Sequence, residues 1–290
     1  MIEKVILPIA GLGTRFLPLS KELPKEFWPL VDLPVIQYVV EEAISAGAKE
    51  IIFVISAEKR MIVDYFQNSP RVEKILKERN KISLINGLEE FKKKFSGITF
   101  SFVQQKNPLG DGHAILQAKK YIEDNSCGVL FGDDVVYGEK SCLAQLADVF
   151  KTCQKPVMAV KRVSKEMISS YGILEVEKIA NRLYKIKKII EKPSLEEAPS
   201  DLAIVGKYIL TPSVFDYLER KKKPTKGKEM ILADTFQEMI KDGKAIYGYE
   251  FEGDWLECGN KINWLKSHLF LSLKHSEFGP ILKKYLKEII

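Results

Sequence analysis

A glycine-rich segment with two nearby cations is the strongest chemical signal in the sequence. Gly11 and Gly13 are followed by Arg15, and Lys25 stands ten residues further on. Glycines let backbone N–H groups approach a phosphate chain, and arginine and lysine supply a planar fork and a point charge. The segment is not a dinucleotide fingerprint, since Phe16 occupies the third-glycine position, and no Gly-Lys-Ser/Thr follows to make a Walker A loop. The pattern predicts a loop that binds a polyphosphate.

Acidic and amide side chains follow two other apolar runs. Asp133 and Asp134 come after the run that ends at Phe131, and Gln105 comes after the run that ends at Val103. Carboxylates at the carboxyl end of a strand can hold Mg²⁺ against substrate phosphates, although an acidic pair alone would indicate only a turn. A carboxamide offers a donor and an acceptor, which matches the edge of uracil or thymine.

Apolar runs and helical patterns alternate through the first half of the chain, as the elements that position these residues. Strands are predicted over residues 5–7, 51–55, 99–103 and 128–131, and helices over 36–44 and 113–121. This alternation predicts a parallel sheet with helices on both faces and ligands at the carboxyl ends of the strands.

The pattern changes after about residue 156. Strands are predicted over 157–163, 172–176, 184–190 and 203–210, and helices over 212–218, 233–240, 261–273 and 280–290. Because no long helix separates the first three of these strands, the region is expected to be more antiparallel.

Several motifs together resemble a known family. They are Gly11-Leu12-Gly13-Thr14-Arg15, Pro24-Lys25-Glu26, Gly112-His113-Ala114, Tyr171-Gly172, Glu191-Lys192-Pro193 and Cys258-Gly259-Asn260-Lys261. In this order they are similar to the UTP–glucose-1-phosphate uridylyltransferases, which are sugar nucleotidyltransferases. The resemblance implies a Rossmann-like α/β fold with a mixed, mainly parallel sheet, helices on both faces and a smaller, more antiparallel sugar-binding lobe. It also implies transfer of the uridylyl group of UTP to glucose 1-phosphate, assisted by Mg²⁺, with release of pyrophosphate.

The resemblance further implies roles for individual residues. The catalytic residues would be Arg15, Lys25 and Lys192. The nucleotide would contact Ala10, Gly11, Gly13, Thr14, Gln105 and Gly110, and the sugar would contact Gly172, Glu191 and Val205. Asp133 and Glu257 would bind Mg²⁺. Glu257 departs from the family pattern, which usually has aspartate here, and its side chain is longer by one methylene.

Three alternatives to this function stay open from the sequence. The chain could be a thymidylyltransferase, a uridylyltransferase for another hexose 1-phosphate, or a catalytically weak regulatory paralogue that binds nucleotide sugars. The last is motivated by Glu257 and by residues 229–234, which lack two polar groups of the family pattern. The presence of Arg15, Lys25, Asp133 and Lys192 favours an enzyme.

A single nucleotidyltransferase domain is predicted over residues 1–290. It would comprise a nucleotide-binding half over 1–155, a sugar-phosphate-binding half over 156–260 and C-terminal helices over 261–290. No internal repeat or long linker divides the sequence. Relatives of the resembled family suggest a homodimer or homotetramer.

Composition narrows the functional class. The 290 residues are 46% hydrophobic and 29% charged, as in globular proteins, and the apolar runs are too short to span a membrane. The four cysteines show no Cys-x-x-Cys spacing, and no apolar signal-peptide core follows Glu3 and Lys4, so a cytoplasmic protein is expected. The net charge of +6 is spread widely. Its densest run, from Arg220 to Lys228, is interpreted as a solvated loop, so no nucleic-acid partner is expected.

Overall fold

The strands of the protein are described by a computed structural model over residues 2–221 and 228–289. They are β1 (Lys4–Pro8), β2 (Pro29–Leu30), β3 (Leu33–Pro34), β4 (Glu50–Ile55), β5 (Thr99–Gln104), β6 (Cys127–Leu130), β7 (Asp134–Tyr137), β8 (Val157–Arg162), β9 (Gly172–Ala180), β10 (Leu183–Glu191), β11 (Leu202–Leu210), β12 (Tyr247–Glu250) and β13 (Asp254–Glu257).

Helices cover much of the remaining chain. They are α1 (Val35–Ser45), α2 (Arg60–Tyr65), α3 (Pro70–Glu78), α4 (Ile82–Lys94), α5 (Asp111–Gln117), α6 (Lys119–Ile122), α7 (Cys142–Cys153), α8 (Pro212–Arg220), α9 (Leu232–Lys241), α10 (Lys261–Lys274) and α11 (Phe278–Ile289). The helix predicted over 113–121 is divided between α5 and α6 at Ala118.

Nine strands form one mixed sheet in the order β5-β4-β1-β6-β11-β8-β12-β10-β9. Pairing is parallel from β5 through β4 and β1 to β6, and again between β8 and β12. The other neighbours pair antiparallel. The predicted α/β class is therefore confirmed, and the antiparallel region continues the same sheet instead of forming a separate one.

Both faces of the sheet are covered by apolar side chains. Val5 and Leu7 of β1 pack in one core with α1 and α7, whereas Ile6 points into a second core with α5 and α8. This alternation follows from the period of two residues along a strand. Packing in the two cores fixes the positions of the strand ends, and therefore the positions of the loops that follow them.

Strand β11 is longer than its neighbour and extends the sheet beyond the end of β6. Lys207 lies opposite Leu130, the last residue of β6, so the first five residues of β11 project past it. Ala203 in this projecting part pairs with Ile173 of β9. The start of β9 and the end of β10, which pair with each other, are thereby carried to the carboxyl edge of the parallel strands.

A separate two-stranded ladder joins the two segments that carry predicted metal ligands. In the ladder of β7 and β13, Glu257 lies directly opposite Asp134. The backbone N–H of Cys258 also donates to the carbonyl of Asp133 at 2.7 Å. Residues more than a hundred positions apart are therefore held side by side by backbone hydrogen bonds.

Aromatic side chains fasten the N-terminal loop to the C-terminal region. Phe16 packs edge-on against Trp28 with ring centroids 4.4 Å apart, and Trp28 packs against Trp264 of α10 at 4.8 Å. Phe16 is only 1% exposed. The residue beside Arg15 is thus anchored in an aromatic cluster, while Arg15 itself stays exposed.

Two further expectations concern the surface. Within residues 2–221 and 228–289, no helix is long and apolar enough to cross a membrane. The basic run from Arg220 to Lys228 falls largely at 222–227, outside the described residues.

Candidate active site

A cavity of about 360 Å³ lies where the projecting part of β11 meets the β7–β13 ladder. It brings together six of the residues predicted from the sequence: Arg15, Asp133, Gly172, Glu191, Lys192 and Glu257. A second cavity of about 530 Å³ shares Arg15, Lys192 and Glu257 with it. Cations and carboxylates therefore converge in one place from four separate parts of the chain.

The predicted phosphate loop contributes Arg15 to the cavity lining, whereas residues 10–14 do not line it. Gly13 has a φ of 64°, a left-handed conformation that favours glycine, and a Cβ there would lie 3.3 Å from Ser20 Cβ. Gly11 and Thr14 are exposed, whereas Ala10 is buried at 4% exposure. Arg15 Nη1 donates to the carbonyl of Gly259 at 3.5 Å. The backbone of the loop is therefore exposed to solvent next to the guanidinium of Arg15, which lines the cavity.

Lys25 and Asp133 form an ion pair at the junction of the loop and the cavity. Their side chains are 20% and 21% exposed. Burial favours the neutral amine of Lys25, but Asp133 and Glu26 together raise its pKa above the ordinary value. Burial also acts to raise the pKa of Asp133, and Lys25 and Arg15 reverse this and lower it. Both groups are therefore charged; Asp133 lines the cavity, and Lys25 lies behind it as its ion-pair partner.

Asp133 Oδ2, which also accepts from Lys25 Nζ, and Glu257 Oε1 face the same space. A Cβ on Gly259 would lie 2.9 Å from Asp133 Oδ2 and 2.9 Å from Glu257 Oε1, so only glycine leaves these oxygens room. The described residues hold no cluster of three or more His, Cys, Asp or Glu that could bind a metal. Two hard carboxylate oxygens are nevertheless the usual protein share of a Mg²⁺ site whose other ligands are substrate phosphates and water. The residues present fit such an ion.

Asp134, which follows Asp133, has a structural function. Its Oδ1 accepts a hydrogen bond from Trp255 Nε1 at 2.7 Å, and its Oδ2 accepts one from the backbone N–H of Gly206 at 3.2 Å. Burial and the neighbouring charge of Asp133 raise the pKa of Asp134 to about 7. Its two oxygens hold the β7–β13 ladder against β11, which leaves Asp133 as the carboxylate directed at the ligand.

Glu191 is the last residue of β10, and Lys192 begins the turn that follows. Lys192 has a φ of 47°, which is unusual for a residue with a side chain, and its N–H donates to the carbonyl of Tyr171 at 3.0 Å. Its amino group lies 3.7 Å from Glu191 Oε1, and both side chains are about half exposed. A Cβ on Gly172 would lie 3.1 Å from Glu191 Oε2. The turn thus places a cation and a carboxylate at the cavity mouth.

Gln105 directly follows β5, donates its backbone N–H to the carbonyl of Ile55 at 2.8 Å, and does not line the cavity. It is 6% exposed, and its Nε2 donates to the carbonyl of Gly110 at 3.1 Å and lies 2.8 Å from His113 Nδ1. The carboxamide is thereby fixed in orientation. Glycine is required at position 110 by the close approach of Met230, because a Cβ there would lie 2.4 Å from the carbonyl oxygen of that residue.

The side chain of Val205 does not line the cavity, so the predicted sugar contact there would fall to its backbone. Val205 is fully buried in the core, and its neighbours Ile204 and Gly206 line the cavity instead. Side chains along β11 alternate between the two faces of the sheet, and the motif alone does not reveal which face Val205 occupies.

Several cavity residues carried no role in the sequence prediction. They are Asp111, Phe131, Tyr171, Tyr208 and Trp255. Asp111 Oδ1 accepts hydrogen bonds from the N–H groups of Gly112 at 2.6 Å and Leu232 at 2.9 Å, which ties the start of α5 to the start of α9. Burial raises the pKa of Asp111 to about 6. The sequence feature that could have indicated Asp111 is its position as an acidic residue directly after Gly110.

The nucleotidyl transferase family model matches residues 4–272 of the chain. The chain belongs to this family. A UTP–glucose-1-phosphate uridylyltransferase of Staphylococcus haemolyticus is 40% identical over 288 residues, which are 99% of this chain and 98% of that protein. The resemblance predicted from the motifs is confirmed.

Solved structures agree with the family. A UDP-glucose pyrophosphorylase complexed with UDP-glucose is 35% identical with a TM-score of 0.83, over 95% of this chain and 100% of its own. A UTP-bound UGPase from Acinetobacter baumannii is 32% identical with a TM-score of 0.90, over 100% of both chains.

Proposed function

We propose that this chain transfers the uridylyl group of UTP to glucose 1-phosphate, giving UDP-glucose and pyrophosphate. The observation that carries the proposal is the convergence of Arg15, Lys192, Asp133 and Glu257 on one cavity. The substrates are those named for a relative that matches nearly the whole chain at 40% identity.

The nucleotide would occupy the loop side of the site. Backbone N–H groups of residues 10–14 would contact its phosphates, and Lys25 would neutralise their charge. The nitrogen of Gln105 is already engaged by Gly110 and His113, so its oxygen would accept the N3–H of uracil. Adenine has no N–H at that position, and guanine, which has one, is larger than uracil by a fused ring.

The reaction would be an in-line displacement at the α-phosphorus of UTP. A phosphate oxygen of glucose 1-phosphate forms the new P–O bond while the bond to the departing pyrophosphate breaks. Arg15 would hold the charge on the leaving group, and Lys192 would hold the attacking phosphate. Such reactions depend on positioning and charge stabilisation more than on covalent chemistry of the protein.

Asp133 and Glu257 would hold Mg²⁺ beside the reacting phosphates. When bound, the ion would reduce repulsion between the two anionic substrates and help to orient the α-phosphoryl group. Glu191 would accept hydrogen bonds from sugar hydroxyls, and Gly172 would leave space beside it.

The same proposal covers the organisation of the protein. Residues 1–155 would serve the nucleotide and residues 156–260 the sugar phosphate, within a single domain in the cytoplasm. The C-terminal helices would contribute to a homodimer or homotetramer. Ile281, Tyr285 and Ile289 of α11 are all more than half exposed, which supports such a contact.

A substrate panel tests the proposal. Pyrophosphate release is measured with Mg²⁺ and each of UTP, dTTP, ATP and GTP, paired with glucose 1-phosphate or another hexose 1-phosphate. We expect the highest rate with UTP and glucose 1-phosphate, slower turnover of dTTP, and rejection of both purines, because a mismatched base leaves buried polar groups unpaired. Equal turnover of ATP and UTP would contradict the role of Gln105. A preference for dTTP would indicate a thymidylyltransferase, and no release with any pair would indicate the weak paralogue.

A further inference from the structure

Glu257 is held by Tyr171, which directly precedes β9, and by two amides at the start of α10. Its Oε2 accepts hydrogen bonds from Tyr171 Oη at 3.0 Å, from Asn260 Nδ2 at 3.2 Å and from Asn263 Nδ2. A carboxylate oxygen offers about two lone-pair sites, so three donors leave this atom little capacity for a cation. The two oxygens of Glu257 are therefore not equivalent.

The other oxygen of Glu257 faces the proposed metal position. Oε1 accepts one hydrogen bond, from Asn260 Nδ2 at 3.3 Å, and the same amide contacts Oε2 at 3.2 Å. Oε1 also lies 2.9 Å from the Cβ position of Gly259, as does Asp133 Oδ2. Tyr171 and Asn263 thus act on Oε2 alone, Asn260 contacts both oxygens, and Oε1 faces Asp133.

The donors themselves are fixed by the fold. Asn260 caps α10, with its Oδ1 accepting the N–H of Asn263 at 3.0 Å, which sets the direction of its Nδ2. The Tyr171 ring packs against Trp255 with centroids 5.0 Å apart. Ser267 Oγ donates to the carbonyl of Glu257 at 3.1 Å and holds its backbone. A glutamate has one more rotatable bond than an aspartate, and this arrangement limits its freedom before any ion arrives.

We propose that Tyr171, Asn260 and Asn263 are positioning residues that orient Glu257 so that Oε1, and not Oε2, binds the divalent cation beside Asp133. The inference rests on the proposed function, since it concerns the metal of that reaction. It also explains how a glutamate serves here: the extra methylene reaches the amides of α10, and the carboxylate is turned back toward Asp133.

Direct metal binding tests the inference without turnover. Mn²⁺ is titrated into the full chain with UDP-glucose present and pyrophosphate absent, and free Mn²⁺ is followed by electron paramagnetic resonance. Asn263→Ala should weaken Mn²⁺ binding by about 10-fold or more, the usual effect of losing a group that orients a metal ligand. Tyr171→Phe keeps the ring, removes one donor and should weaken binding less. Leu265→Ala, at an exposed site on the same helix, should bind Mn²⁺ like the parent.

A double-mutant cycle separates positioning from other effects. A shorter carboxylate cannot reach the amide of Asn263, so Asn263→Ala should cause no further loss of Mn²⁺ affinity in a Glu257→Asp background. Affinity for UDP-glucose without metal should stay at the parent value in Asn263→Ala. Parental Mn²⁺ affinity in Asn263→Ala, or an equal loss in both backgrounds, would overturn the inference while UDP-glucose synthesis by the parent still stood. Failure of the parent to make UDP-glucose would instead overturn the proposed function, and the inference with it.

Discussion

Two lysine–carboxylate pairs in neighbouring parts of the molecule share one chemistry but differ in function. Lys25 and Asp133 form a pair at the cavity, with side chains about one-fifth exposed. Lys207 and Glu42 form a pair inside the core, with side chains 0% and 6% exposed and 2.6 Å between the charged atoms. The difference lies in what else each pair can contact.

The core pair is closed to any ligand. The second oxygen of Glu42 accepts the backbone N–H of Leu143 at 3.1 Å, so the pair joins α1 to β11 and to the start of α7. In the other pair, Asp133 lines the cavity together with Arg15 and faces the space beside Gly259. Burial and the remaining hydrogen-bond capacity, more than the ion pair itself, therefore separate a structural contact from a functional one.

Breaking the core pair should give the largest effect, and it should be an effect on stability. Lys207→Met leaves the carboxylate of Glu42 buried without its partner and should lower the free energy of unfolding by about 3–5 kcal/mol. Urea unfolding followed by circular dichroism measures the loss. The double variant Lys207→Met/Glu42→Gln should lose less, since no unpaired charge remains. A single variant as stable as the parent would show that the pair has no structural role.

Breaking the cavity pair should affect activity more than stability. Lys25→Met should lower kcat/KM by about 10²-fold or more, the usual loss for one preorganised electrostatic contact. Arg15→Ala and Lys192→Ala should cause similar losses. The matched control is Lys21→Ala, because Lys21 lies in the same segment with its side chain 76% exposed, and it should keep parental kcat/KM. Unfolding of Lys25→Met at much lower urea than the parent would contradict the distinction between the two pairs.

Asp111 extends the comparison to a buried acid whose pKa is not set by a neighbouring cation. Its expected effect is smaller. Burial raises the pKa of Asp111 from 3.8 to about 6, so between these values the folded state binds the proton more tightly than the unfolded state. The stability from this group is present in acid and is lost as pH rises through 6. As pH rises from 4 to 7, the free energy of unfolding of Asp111→Asn should therefore increase by about 1–3 kcal/mol relative to that of the parent. Urea midpoints of both proteins across this range measure the gain, and a constant difference would contradict it.

The sequence predicted many of the long strands and several long helices, but it did not predict α4 or α7. Strands β1, β4, β10 and β11 follow from their apolar runs, and α1 follows from its helical period and the glycine after it. The short strands β7 and β13 gave no comparable signal, since each is four residues long and is stable only through its partner. The ladder that brings Glu257 beside Asp134 was therefore not predictable from local pattern.

Within the site, residue type was easier to predict than direction. The charged residues Arg15, Asp133, Lys192 and Glu257 all reach the cavity. Val205 does not, because a motif match does not show to which face of a strand a side chain points. Lys207 looks like any exposed lysine in the sequence, and its burial depends on Glu42, far away in the chain. Such pairings are decided by tertiary structure.

The most direct test of the whole account is the reverse reaction with purified protein. UDP-glucose, pyrophosphate and Mg²⁺ are mixed with the chain, and UTP and glucose 1-phosphate are followed by ³¹P nuclear magnetic resonance, beside Lys192→Ala as the matched inactive variant. The account predicts equal amounts of both products with the parent, at a rate about 10²-fold or more above that of the variant. Consumption of UDP-glucose without UTP, or equal rates for parent and variant, would contradict it.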